Sequence, residues 1–143
     1  MRYFFPALLV LSALSTAQTP SPKDSELITP ADLATHIKGP LLVQVGFPVL
    51  YRAAHIPGSQ YAGPGSKPEG IEALKAAVAG QPKNREIVLY CGCCPWDKCP
   101  NVKPAIEALR QMGYTNVKAM VIKENFKADW TDKNYPVEKR AEP

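Results

Sequence analysis

Every cysteine in the chain lies within nine consecutive residues, in the segment Tyr90-Cys91-Gly92-Cys93-Cys94-Pro95-Trp96-Asp97-Lys98-Cys99-Pro100. Such density is a poor match to chance scatter over 143 residues, so the segment is read as a site. Thiols at this spacing support four chemistries. A thiolate can attack and carry a sulfur atom, two thiols can exchange with a disulfide, several can hold a soft metal ion, or pairs can tie the loop as structural disulfides. Cys94 and Cys99 bracket a six-residue window, and a thiol beside a nucleophile could resolve a persulfide or a sulfenic acid. The spacing is not Cys-x-x-Cys, which argues against a thioredoxin-like pair. Adjacent Cys93 and Cys94 are poorly placed to bridge each other, because the vicinal ring strains the peptide. As metal ligands, Cys91, Cys93, Cys94 and Cys99 would select copper(I) or zinc, although Cys-x-Cys-Cys lacks the Cys-x-x-Cys knuckle of structural zinc sites.

Regular elements must present this loop. Leu41 to Val45 and Glu86 to Tyr90 are short apolar runs that predict buried strands, and Val117 to Val121 is a third. The cysteine loop begins where the second run ends. Between the runs the pattern is helical. Thr29 can cap a helix that starts at Pro30, carries Leu33 and Ile37 on one face and stops at Gly39-Pro40. Tyr51 to Ala54 suggests a helical turn, and Gln60 to Ala62 a further short strand before a Gly/Pro loop. Ile71, Leu74 and Val78 recur at helical spacing up to Gly80. Val102, Ile106 and Leu109 do so up to Gly113, with Asn101 as the expected cap because Pro104 is tolerated only in a first turn. Strands alternating with helices predict an α/β domain with a mainly parallel central sheet flanked by helices. Reactive loops in such sheets lie at the carboxyl ends of the strands, where the cysteines are.

The N-terminus reads differently. Met1-Arg2 supplies a positive charge, Phe4 to Leu14 is almost wholly apolar, and Ser15-Thr16-Ala17 has the small residues of a processing site. Residues 1–17 are therefore expected to be a signal peptide cleaved after Ala17, which makes the protein secreted or periplasmic. Residues 18–25 read as a flexible Pro-rich lead-in, 26–138 as one domain and 139–143 as a charged tail. No apolar run reaches the roughly 18 residues of a membrane-spanning helix, so no stable membrane insertion is expected after processing. A net charge of +4, with no basic block or aromatic-studded basic stripe, argues against nucleic acid as a partner. Export places all four cysteines in an oxidising compartment.

Several separated segments resemble the rhodanese-like family. His55-Ile56-Pro57-Gly58-Ser59 is similar to that family's GHIPGA segment. Ile87-Val88-Leu89-Tyr90-Cys91 resembles the strand that leads into its active-site cysteine. Ala108 to Val117 is similar to its helix-to-strand passage, and Trp130 with Asn134-Tyr135-Pro136-Val137 to its terminal segment. The resemblance spans Leu27 to Val137 and implies the rhodanese fold. It also implies sulfane-sulfur transfer through a cysteine persulfide, with Cys91 in the nucleophile's place. A thiolate at the mouth of a loop before a helix gains from backbone N–H donors and the helix dipole, and so does the terminal sulfur of a persulfide. Three departures stand out. The loop from Cys91 to Asn101 is longer than the family's six residues and holds no Arg. Gln44-Val45-Gly46 replaces the family's Asp-x-Arg, and Glu124-Asn125 its Gly-Gly. Counted back from Gly113, Cys94 is nearer the family's loop length and is the rival nucleophile.

On this reading Cys93 and Cys99 are the candidate resolving thiols. Lys98 is a candidate to attract an anionic donor such as thiosulfate, and Trp96 a candidate to wall the substrate pocket. Asp97 would raise the pKa of a nearby thiol. His36 is expected at the surface and His55 as a turn-bracing hydrogen bonder, neither as a ligand. The expected partners are a small sulfur donor and a thiol or cyanide-like acceptor. No cofactor is expected, the alternative being copper(I) or zinc on the four thiolates.

Overall fold

A computed structural model of the chain describes residues 22–140. The expected signal peptide, the first half of the lead-in and the last three residues of the tail lie outside the described residues. Ten main elements follow in order: β1 (Leu27–Ile28), α1 (Pro30–Ala34), β2 (Leu41–Gln44), α2 (Pro48–Ala53), β3 (Gln60–Tyr61), α3 (Pro68–Val78), β4 (Ile87–Tyr90), α4 (Val102–Gln111), β5 (Val117–Met120) and α5 (Phe126–Asp129). The strands form one sheet in the order β1-β5-β4-β2-β3, and every pairing is parallel. The three apolar runs are its three central strands, as their composition predicts. A strand covered on both faces can be apolar at every position, and all four residues of β4 are buried.

Side chains alternate between two cores. Val43, Leu89 and Ala119 point to one face, where Leu74 and Val78 of α3 and Ile106 and Leu109 of α4 cover them. Leu42, Val88 and Met120 point to the other, against Leu33, Ile56, Phe126 and the fully buried Trp130. Thr29 caps α1 as expected, accepting from Asp32 N at 3.1 Å. Two short elements were not legible beforehand. β1 is only two residues long and exists because Leu27 and Ile28 can pair with Ala119 and Met120. α5 depends on Asn125, whose side chain caps it by accepting from Ala128 N.

This topology dictates where a site can form. After β2 the chain runs outward to β3, whereas after β4 it runs the opposite way to β5. Adjacent strands whose connections diverge leave a crevice at their carboxyl ends. β2 ends at Gln44 and β4 at Tyr90, paired in register, so Gly46 and Cys91 meet in that crevice.

Candidate functional site

Cys91 is held by the end of its strand and by three side-chain features around it. Tyr90 is buried, and its hydroxyl accepts from Ile56 N at 3.1 Å and hydrogen-bonds with Ser59 Oγ at 2.8 Å. Burial pushes the phenol up, so it stays neutral. The Gln44 side chain donates from Nε2 to Cys91 O at 3.0 Å and accepts at Oε1 from Gly46 N at 3.2 Å. That amide ties the two strand ends together in a fully buried position. Gly46 packs directly on Cys91: a Cβ there would lie 2.8 Å from both Cys91 O and Cys91 Sγ. Gly92 then turns the chain at φ 90°, in the left-handed region, with Phe126 filling the space where a side chain would go.

Four sulfurs gather beyond this turn, all of them free thiols in the structure. Cys91 Sγ lies 3.2 Å from Cys93 Sγ, and Cys93 Sγ 2.9 Å from Cys94 Sγ. Cys99 returns from the far end of the loop, so that the sulfurs of Cys91, Cys93 and Cys99 all lie within 4.8 Å of one another. Cys91 and Cys99 are buried, while Cys93 and Cys94 are half-buried. Asn101 does not act as the expected helix cap. It adopts a helical conformation with no capping bond from its side chain. Its amide instead donates to Cys91 Sγ at 3.5 Å and accepts from Ser66 N at 3.0 Å. The N-terminus of α4 serves a sulfur instead, for the backbone N–H groups of Asn101 and Val102 both donate to Cys99.

The thiols are unequal. The hydrogen bond to Cys99 and then burial push the Cys91 thiol up. Cys99 is held well below the usual thiol range, first by the thiol of Cys91 donating to it and then by the two N–H donors of α4. The two thiols are therefore linked by one hydrogen bond and titrate as a pair. Desolvation, reinforced by the neighbouring thiol of Cys93, pushes Cys94 up to about 12.

Beside the cluster opens a cavity of about 460 Å³. Cys91, Gly92 and Cys93 form one side, Leu50, Ala54 and Phe126 contribute apolar wall, and the exposed Lys127 and Lys139 also line it. Lys127 is paired with Asp132 at 2.6 Å. Cys94, Trp96, Lys98 and Cys99 lie outside this lining. Trp96 is half-buried, packs against both cores and donates its backbone N–H to Ile122 O at 2.9 Å. Lys98 and Asp97 are exposed beside it on a short turn. His36 is exposed, and His55 is buried at the α2 end, where it stacks on Tyr51 and bonds to Tyr51 O at 2.7 Å. Neither histidine belongs to the thiol cluster. Sequence reasoning missed Asn101, whose cap-like position concealed it, and Lys139, placed in the tail. Gln44 and Gly46 carried a signal, since they stand where the resembled family has Asp-x-Arg.

A parallel sheet with a cysteine loop at the carboxyl end of its middle strand defines an α/β domain of rhodanese fold. The rhodanese-like domain profile matches residues 29–122, and the chain belongs to that family. Among solved structures, BH2092 from Bacillus halodurans is similar at a TM-score of 0.62 and 25% identity, covering 80% of this chain and 77% of that one. Alr3790 from Anabaena gives 0.61 at 17% identity over 80% and 94%. A Saccharomyces cerevisiae protein described as the single-domain sulfurtransferase RDL2 gives 0.54 at 22% identity over 79% and 94%. No curated protein matches the chain.

Proposed function

We propose that the protein is an exported sulfurtransferase that carries sulfane sulfur as a persulfide on Cys91. The observation that carries this reading is the position of Cys91: of the two rival nucleophiles it alone lines the cavity, at the end of the middle strand. Cys94 sits outside that lining. Lys139 gives the cavity a cation suited to a small anionic donor such as thiosulfate.

The reaction balances without an external oxidant. Cys91 passes its proton to Cys99, with which it already shares a hydrogen bond. Its sulfur attacks the outer sulfur of the donor, a new S–S bond forms, and the donor's S–S bond breaks with its electron pair leaving on sulfite. The N–H of Cys93 and the amide of Asn101 face Cys91 Sγ and hold charge there. An acceptor thiolate then attacks the outer sulfur, takes it as a persulfide and releases Cys91 as the leaving group.

Thiosulfate treatment followed by intact-mass measurement tests the assignment. The protein should gain about 32 Da, the mass of one persulfide sulfur. Cys91→Ser should gain nothing, and Cys94→Ser should load normally. Loading that survives in Cys91→Ser and disappears in Cys94→Ser would transfer the role to Cys94. Export has its own test, in which residues 1–18 fused to a reporter should direct secretion and be cut after Ala17.

A further inference from the structure

Sulfur transfer uses Cys91 and gives Cys99 a part, yet it leaves the Cys93 thiol without a task. Cys93 Sγ nevertheless lies 3.2 Å from Cys91 Sγ. Three sulfurs from two separate stretches of chain converge: Cys91 and Cys93 come off β4, and Cys99 precedes α4. A metal–sulfur bond of about 2.3 Å would set the corners of a three-coordinate site about 4 Å apart. The three sulfurs already lie within 4.8 Å of one another, the Cys91–Cys93 separation being 3.2 Å, so small side-chain rotations would bring them to that spacing.

The surroundings suit thiolate ligands. Cys91 Sγ receives the N–H of Cys93 and the side-chain amide of Asn101, which Ser66 N orients by donating to its oxygen. Cys99 Sγ receives the first free N–H groups of α4. Donors to ligand sulfurs spread the excess negative charge and fix the ligands' direction. Cys91 and Cys99 are buried, which would shield a bound ion from water and oxidants. Cys94 Sγ touches Cys93 Sγ at 2.9 Å but does not lie within 4.8 Å of all three of the other sulfurs, so the mutually close set offers three thiolates rather than the tetrahedral four of structural zinc. Soft, three-coordinate, all-sulfur surroundings select copper(I).

We infer that Cys91, Cys93 and Cys99 form a three-thiolate site for copper(I), positioned by Asn101. The ion enters as copper(I) and leaves as copper(I), so no electron is transferred. Protons on the ligating thiols pass to solvent as the metal–sulfur bonds form. The site shares Cys91 with the proposed sulfur transfer but does not rest on it. A bound ion and a persulfide exclude each other at that sulfur, so copper(I) would block loading.

The test is titration of the fully reduced, metal-free protein with copper(I) under anaerobic conditions, in competition with a chromophoric copper(I) chelator. Four free thiols by thiol-reagent counting establish the starting state. The expected result is one tightly held copper(I) per chain, with X-ray absorption showing three sulfur neighbours. Cys91→Ser, Cys93→Ser and Cys99→Ser should each weaken binding by at least about 100-fold. Asn101→Ala should weaken it by about 10-fold while leaving all four thiols in place. Cys94→Ser should bind as the parent does, and circular dichroism identifies any variant that fails to fold. Failure of the folded, fully reduced protein to compete for copper(I) would overturn the inference. So would a Cys94→Ser variant as weak as the other three, or four-sulfur zinc binding that outcompetes copper(I). Sulfur loading of the metal-free protein is measured separately, so either reading can fail while the other stands.

Discussion

Gly46→Ala probes the contact between the two strand ends that makes the site. The added Cβ would lie 2.8 Å from Cys91 O and from Cys91 Sγ, about 0.6 Å inside the 3.4 Å at which ordinary contact begins. Neither partner can move freely. Cys91 O is held by Gln44 Nε2, and Tyr90, the residue before it, is held through its hydroxyl by Ile56 N and Ser59. Retreat of residue 46 is blocked as well, because the backbone of Gly63 is packed against Gly46 O. Overpacking of a tight core typically costs about 1–3 kcal/mol. The loss of backbone freedom in the unfolded chain offsets about 0.4–1 kcal/mol of that. A net destabilisation of about 1–2 kcal/mol remains, and at about 4 °C per kcal/mol for a domain of this size the midpoint should fall by about 4–8 °C. Because Cys91 Sγ is one of the two atoms struck, the rate of sulfur loading should fall too. Gly80→Ala is the control. Gly80 has φ 76° with nothing within 4 Å of its added Cβ, so alanine there strains the backbone by about 1–2 kcal/mol and leaves the site alone. Differential scanning calorimetry and initial rates of mass gain would be compared for the two variants. A Gly46→Ala protein that melts with the parent and loads sulfur at the parent rate would refute the close approach of β2 and Cys91.

Two further outcomes are expected. Tyr90→Phe removes the partner of the buried Ile56 N–H and Ser59 Oγ, and urea denaturation should show a loss of about 1–3 kcal/mol, whereas unchanged stability would show that those groups find other partners. Glu26 is held below its usual range, first by the backbone N–H of Lys23 and then, against some desolvation, by Arg110, so its ionised form stabilises the fold above pH 4.5 and that contribution is lost as pH falls through the lower folded value. The melting-point gap between the parent and Glu26→Gln should accordingly narrow from pH 7 to pH 3, and a gap that widens on acidification would reverse the sign of this argument.

How far the sequence reaches depends on whether the determining interactions are local. The three central strands were readable because strands covered on both faces are mostly apolar, β4 at all four positions and β2 and β5 at three of four, a pattern that survives without knowledge of its neighbours. Helices α3 and α4 were readable from apolar residues at helical spacing, and Thr29 from the chemistry of a cap. β1 was not, since two residues carry no periodicity and owe their conformation to β5. Asn101 shows the same limit at the site. Its position before α4 predicts a cap, but the fold brings Ser66 and Cys91 within reach, and its amide bonds to them instead.

The sequence by itself determined the α/β class, the parallel order of strand and helix, and the concentration of chemistry between Cys91 and Cys99, because each of these is written in residue type and short-range spacing. Tertiary structure alone decided which sulfurs meet. Cys94 adjoins Cys93 in the chain, yet it is Cys99, returning from the front of α4, that completes the close set with Cys91 and Cys93. It also decided what surrounds them, bringing Gln44 and Gly46 from β2, Phe126 from α5 and Lys139 from the tail to one crevice. Those residues are up to 95 positions apart, and only the divergence of the connections after β2 and β4 opens the space in which they meet.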